Sequence, residues 1–130
     1  MPTAPNCDRL TIDIGDVAFL LRRTSPNHRG HWAAKANATA KLRQVAYATS
    51  VASIDPDCRQ RWASANARLV LRVPDRRRRD TDNLLAACKA VFDGLADAGV
   101  VLDDCGFTHH PARIEVVPRD QVGLTVEVWP

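Results

Sequence analysis

A change of period constrains this chain more than any other feature. From Ala67 to Val73, Ala67, Leu69, Leu71 and Val73 alternate with Arg68, Val70 and Arg72. A two-residue repeat of this kind is a β-strand with one face buried. Pro74-Asp75 ends it, since proline has no N–H to give to a ladder. Further on, the apolar positions fall at Leu84, Cys88, Val91 and Leu95. That spacing is a helical stripe suited to packing on a sheet. Gly99 is a natural stop, so one helix is predicted from about Thr81 to Ala98.

The same logic assigns the rest of the chain. Leu10, Ile12 and Ile14 alternate with Thr11 and Asp13, which reads as strand, and Gly15-Asp16 interrupts it as a bulge or turn. The short apolar run Val17 to Leu21 reads as a second strand or a continuation of the first. Trp32 to about Ala52 is alanine-rich without proline or glycine and reads as helix, with Leu42, Val45, Ala46 and Thr49 on one face. Ile54 to Gln60 is a turn. Ile114 and Val116, and then Val122, Leu124, Val126 and Val128, are strand positions joined by a turn at Pro118 to Gln121. The order strand, helix, strand, helix, strand, strand is that of a small α/β (α+β) domain, a mixed β-sheet with flanking helices. Residues 1–9 are a loose tail and 10–130 the domain; 130 residues suffice for one core and not two.

Composition narrows the function classes. The formal charge is only +3, so the clustering of basic residues says more than their number. Arginines gather at Arg22-Arg23, around Arg29 and at Arg76 to Arg79. Arginine is the better bidentate partner for phosphate, although a GC-rich coding bias also enriches it. Cys7, Cys58, Cys88 and Cys105 form no close pair, which argues against zinc and for reduced, structural thiols in a cytoplasmic protein. His109 and His110 are strand neighbours and point to opposite faces, so they do not share a metal. No stretch reads as a signal peptide or membrane span.

The stretch from Arg76 to Asp104 combines the chemistry. Arg76, Arg77, Arg78 and Arg79 run into Asp80 and Asp82; Lys89 and Asp93 follow, and then Asp103-Asp104. Carboxylates hold hard cations such as Mg²⁺ through oxygen, and a basic run attracts a polyanion. Asp82, Lys89 and Asp93 share one helical stripe, with small Ala86 between them. Helix capping explains Asp80 and Asp82, and a solvated Lys89–Asp93 pair explains the stripe. Neither requires Asp103-Asp104 or the arginines. Distance limits the set: a helix from Asp82 to Ala98 is about 25 Å long, and the chain from Ala98 to Asp104 reaches about 20 Å when extended. Asp104 therefore meets Asp82 within one chain only if the segment after Gly99 runs straight back along the helix. Otherwise the helix is shorter, or a partner subunit supplies Asp104.

The run Pro74-Asp75-Arg76-Arg77-Arg78-Arg79-Asp80-Thr81-Asp82-Asn83-Leu84 resembles the signature of the RusA family of Holliday junction resolvases, found in bacteria, phages and prophages. Lys89, then Phe92-Asp93-Gly94-Leu95, Ala98-Gly99-Val100 and Asp103-Asp104 continue the pattern in order, over about a quarter of the chain. The Pro26-Asn27 loop is similar to the family's N-terminal loop. The resemblance implies a RusA-like fold and a homodimer that uses Mg²⁺ or Mn²⁺ to place paired, symmetric nicks in a four-way DNA junction during recombination and repair. It implies catalytic roles for Asp80, Asp82, Lys89 and one of Asp103 or Asp104, with spacing from the lysine favouring Asp104. Asp80, Asp82, Asp103 and Asp104 are the candidate metal ligands. Arg76, Arg77, Arg78, Arg79, Asn27 and Arg29 are the candidate DNA contacts. One departure stands out: Ala86 holds the family's usual lysine place, and Lys89 lies one turn on, as if three residues were inserted between Asn83 and Lys89. A junction binder that does not cut, a nuclease for flaps or forks, and a basic protein-interaction module are the alternatives.

Overall fold

The strand that the alternation predicts is the middle of the sheet. β2 (Ala65–Val73) pairs antiparallel with β5 (Gly123–Trp129) along one edge. Its other edge takes two short parallel strands in succession, β3 (Phe107–His109) and β4 (Arg113–Val116). β1 (Leu10–Gly15) adds antiparallel to β5. The computed structural model describes residues 9–26, 29–54 and 62–130. Among these, four helices accompany a five-stranded mixed sheet that does not close. The expected α/β architecture is therefore present. The tail, Asn27 and most of the turn after Ile54 lie outside the described residues.

One face of the sheet is the core face. Ile12, Ile14, Ala67, Leu69, Leu124, Val126 and Val128 are buried there. Against them pack α2 (Trp32–Ser53), through Leu42 and Ala46, and the helical segment after β2, through Val91 and Leu95. Each fully buried Leu or Val is worth about 1.5–3 kcal/mol. Gly94 lets the two helices touch: a Cβ there would meet the Arg43 carbonyl oxygen and the Ala46 methyl.

Two sequence expectations are corrected. Val17 to Leu21 is not strand; α1 (Ala18–Thr24) is helical. Gly15 leaves β1 at φ +85°, and the Asp16 carboxylate takes the Ala18 N–H at 3.2 Å. Arg22 and Arg23 then sit at the negative end of the helix, and the Arg23 guanidinium lies 4.1 Å from the Phe19 ring centre. The single helix expected from Thr81 to Ala98 is two, α3 (Thr81–Ala87) and α4 (Lys89–Asp97), broken at Cys88 with φ −92° and ψ 8°. There the Val91 N–H bonds to the Cys88 carbonyl and not to that of Ala87. The Ala87 oxygen is taken instead by the Thr24 hydroxyl of α1, at 2.9 Å in a buried setting. Gly99 ends α4 as expected, at φ +86°. The Val100 N–H reaches back to the Leu95 carbonyl and the Gly99 N–H to that of Ala96, the paired bonds of a glycine-terminated helix.

Replacing Gly94 by alanine forces α2 and α4 apart. The clash outweighs the ~1 kcal/mol gained in helix propensity, and urea unfolding should show a net loss of about 1–3 kcal/mol. Unchanged stability would show that the two helices have room to spare.

Candidate active site at the C-terminal end of the central strand

Beyond Val73 the chain enters the arginine loop, and one carboxylate organises it. Asp75 accepts the Arg77 backbone N–H at 3.0 Å, the Arg77 guanidinium at 3.3 Å and the Arg79 guanidinium at 2.9 Å. The Arg77 backbone N–H first, and then Arg79, hold the Asp75 carboxyl below its usual range. Arg79 also donates to the backbone carbonyls of Asp75 and Arg77. Its side chain is only 23% exposed, against 79% for Arg77. Arg79 is thus a strut of the loop. Arg76 and Arg78 are exposed, and among the described residues no carboxylate pairs with them. The four arginines expected to contact DNA phosphates therefore have different surroundings. Arg29 is exposed on the loop before α2.

Asp80 closes the loop and opens α3. Its Oδ1 accepts the backbone N–H groups of Asp82 at 3.0 Å and Asn83 at 3.2 Å. This is the capping role, which satisfies donors the helix cannot. Asp82 lies exposed in the first turn. Together they put two carboxylates beside an arginine loop at a helix N-terminus.

The remaining candidates gather elsewhere. Lys89 donates to Asp93 at 3.2 Å, and both line a hollow of about 440 Å³ with Arg43, Asp97 and Asp103. Arg43 grips Asp97 through two bonds of 2.6 and 2.8 Å and keeps that carboxyl below its usual range. The Asp103 carboxylate caps the 3₁₀ turn Asp104–Gly106 by accepting the Cys105 N–H at 3.4 Å. Asp104 opens that turn, and its side chain lies outside the described ones. Asp80 lines a different cavity, with Arg79 and Asn83.

Sheet register explains the division. After Gly99 the chain runs beside the start of β2: Val101 bridges Trp62, and Phe107 pairs with Ala65. Asp103 and Asp104 therefore lie near the N-terminal end of β2, while Asp80 follows its C-terminal end. The strand between them is about 26 Å long at 3.3 Å per residue. Among the described residues no three His, Cys, Asp or Glu side chains are close enough to hold a metal ion. The oxygen donors of Asp80 and Asp82 suit a hard cation in kind, but one chain's described residues do not supply the number.

His109 and His110 diverge as expected. His109 packs edge-on against Phe92 at 4.5 Å, and burial lowers its tendency to take a proton. His110 shares a 2.9 Å hydrogen bond with Asn66 and lies against Trp129. Cys88 is buried, which pushes its thiol up to about 12, in line with a structural role; Cys105 is exposed. Thr24 and Asp75 were not legible as site supports, although arginines at i+2 and i+4 from an aspartate are a visible sign of the loop clamp.

Fold and site together define a small α/β domain with an open mixed sheet, and with a carboxylate pair and an arginine loop at the end of its central strand. No protein-family model matches the chain, and no curated protein matches it. None of the helices among the described residues is long and apolar enough to cross a membrane.

The two aspartates should separate on stability alone. Asp80→Ala removes the cap and should cost about 0.5–2 kcal/mol in urea unfolding. Asp82→Asn should stay within about 0.5 kcal/mol of wild type. The reverse order would contradict the capping assignment.

Proposed function

We propose that this chain is a RusA-like, Mg²⁺- or Mn²⁺-dependent endodeoxyribonuclease that resolves four-way DNA junctions as a homodimer. The observation that carries the reading is the site beyond β2. An arginine loop braced by Asp75, with Arg76 and Arg78 exposed, leads directly into Asp80 and Asp82. Cations that attract phosphate thus adjoin oxygens that attract a hard cation.

Asp80 and Asp82 would hold the cation, since capping α3 occupies only one oxygen of Asp80. A bound Mg²⁺ or Mn²⁺ supplies Lewis-acid stabilisation of the phosphate and a more acidic water. The third carboxylate, Asp104 or Asp103, lies near the other end of β2 in its own chain, which favours its arriving from the second copy. Lys89, beside Asp103, stabilises charge on the phosphate or orients that carboxylate. Arg76, Arg78 and Arg29 contact backbone phosphates, so binding weakens with salt. A two-fold dimer places two matched cuts and leaves 5′-phosphate and 3′-hydroxyl ends. The break at Cys88 falls in the interval from Asn83 to Lys89, where the resemblance implies three inserted residues.

A second reading is a branched-DNA-binding protein that does not cut. It keeps the arginine loop for binding and leaves Asp80 as the cap of α3.

A synthetic four-way junction decides between them. Wild type with Mg²⁺ should make paired nicks. Asp82→Asn should bind equally well yet cut at least ~100-fold more slowly, the loss of several kcal/mol of transition-state stabilisation. Binding without nicking in either Mg²⁺ or Mn²⁺ would establish the second reading. Mixing Asp82→Asn with Asp104→Asn subunits should restore some cutting if the site is shared. No rescue would place each site within one chain.

A further inference from the structure

Beside Asp80 opens a cleft of about 660 Å³, within the roughly 300–1,000 Å³ range of sites that take small organic groups. Its depth is apolar: Val17, Val73, Ala87 and Leu124 are buried in it, with half-buried Leu71 and Ile114 around them. Its charged lining is mainly basic, Arg22, Arg72, Arg79 and Arg119 against Asp16 and Asp80. Arg72 gives one N–H to Asp13 at 2.8 Å, while its Nε is buried without a partner among the described residues. That Nε is too buried to meet a ligand, so the donors offered to an anionic oxygen are those of the exposed Arg22 and Arg119. Asn83 also lines the cleft, and its side-chain amide brings both donors and an acceptor.

We propose that this cleft receives a single unpaired nucleotide of the DNA strand. The base lies on the apolar floor, Asn83 reads its edge, and the exposed Arg22 and Arg119 hold its phosphate. A flat apolar base fits the floor, and the phosphate fits the cationic lining. To enter a cleft lined by side chains, the base must first leave its stack. That step costs least where pairing is already broken, as at a branch point. With the base seated, the adjoining phosphodiester lies at the mouth beside Asp80. The proposal rests on the endonuclease reading only for the identity of the strand, and it adds a means of choosing where along that strand the cut falls.

The test uses four-way junctions carrying 2-aminopurine, which brightens when unstacked, at successive positions around the exchange point, without divalent cation. Wild type should give a several-fold rise at one symmetric position. Ile114→Trp fills the cleft from β4, away from both aspartates; it should abolish the rise and weaken junction binding about tenfold, the equivalent of 1.4 kcal/mol. Should that variant fail to fold, Val122→Trp fills the same cleft from the turn before β5. A rise that persists in the filled variant overturns the proposal. So does its absence at every position with a wild-type protein that nicks when Mg²⁺ is added, and that result leaves the endonuclease reading standing. A rise without nicking supports the cleft and counts against the endonuclease.

Discussion

Backbone pairing on both edges of β2 is the constraint on which the rest of the structure depends. β5 holds one edge over seven residue pairs, from Asn66↔Trp129 to Arg72↔Gly123. β3 and β4 hold the two ends of the other edge. A strand fixed on both sides cannot slip, because a one-residue shift would turn Ala67 and Leu69 away from the core. The place where β2 ends is therefore fixed as well. Asp75 folds the arginine loop onto that end, and Asp80 starts α3 from it. Two carboxylates in the short stretch from Asp75 to Asp80 thus turn a rigid strand into a positioned charge pattern.

Much of this was legible because the relevant signals are local. The alternation over β2 and β5, the alanine-rich run of α2, the glycine stop at Gly99 and the capping spacing at Asp80 each depend on nearby residues alone. What escaped depends on partners distant in sequence. The break at Cys88 leaves no mark on the apolar stripe, because Leu84, Val91 and Leu95 still face the core. Its stability comes from a hydroxyl sixty-three positions earlier, Thr24, which satisfies the Ala87 carbonyl. Val17 to Leu21 is too short for period to decide between strand and helix. The contacts that accompany the helix are the Asp16 bond to the Ala18 N–H and the Arg23–Phe19 stacking. β3, with three residues, exists because β2 offers it an edge.

The candidate site divides along the same line. Asp80 and Asp82 belong to the C-terminal end of β2, and their placement follows from the cap. Asp103 and Asp104 follow the return from α4, which runs parallel to β2 from its beginning. The order of these residues in the sequence conceals the length of a strand between them. On the proposed function, a homodimer would do more than place two cuts: it would be the arrangement that lets one copy's Asp80 and Asp82 meet the other's Asp103 or Asp104. In that proposed arrangement the hollow around Lys89, Asp93 and Asp103 would be the surface one copy brings to the other.

The most direct measurement concerns the reacting phosphate itself. A junction with a single phosphorothioate at the cut position places sulfur where a hard cation would bind oxygen. Cutting that is slow in Mg²⁺ and restored by the more thiophilic Mn²⁺ is the expected result, since carboxylate-held cations at that phosphate prefer oxygen ligands. Equal rates for the oxygen and sulfur substrates in both metals, or no cutting of either, would contradict metal-dependent cleavage at Asp80 and Asp82.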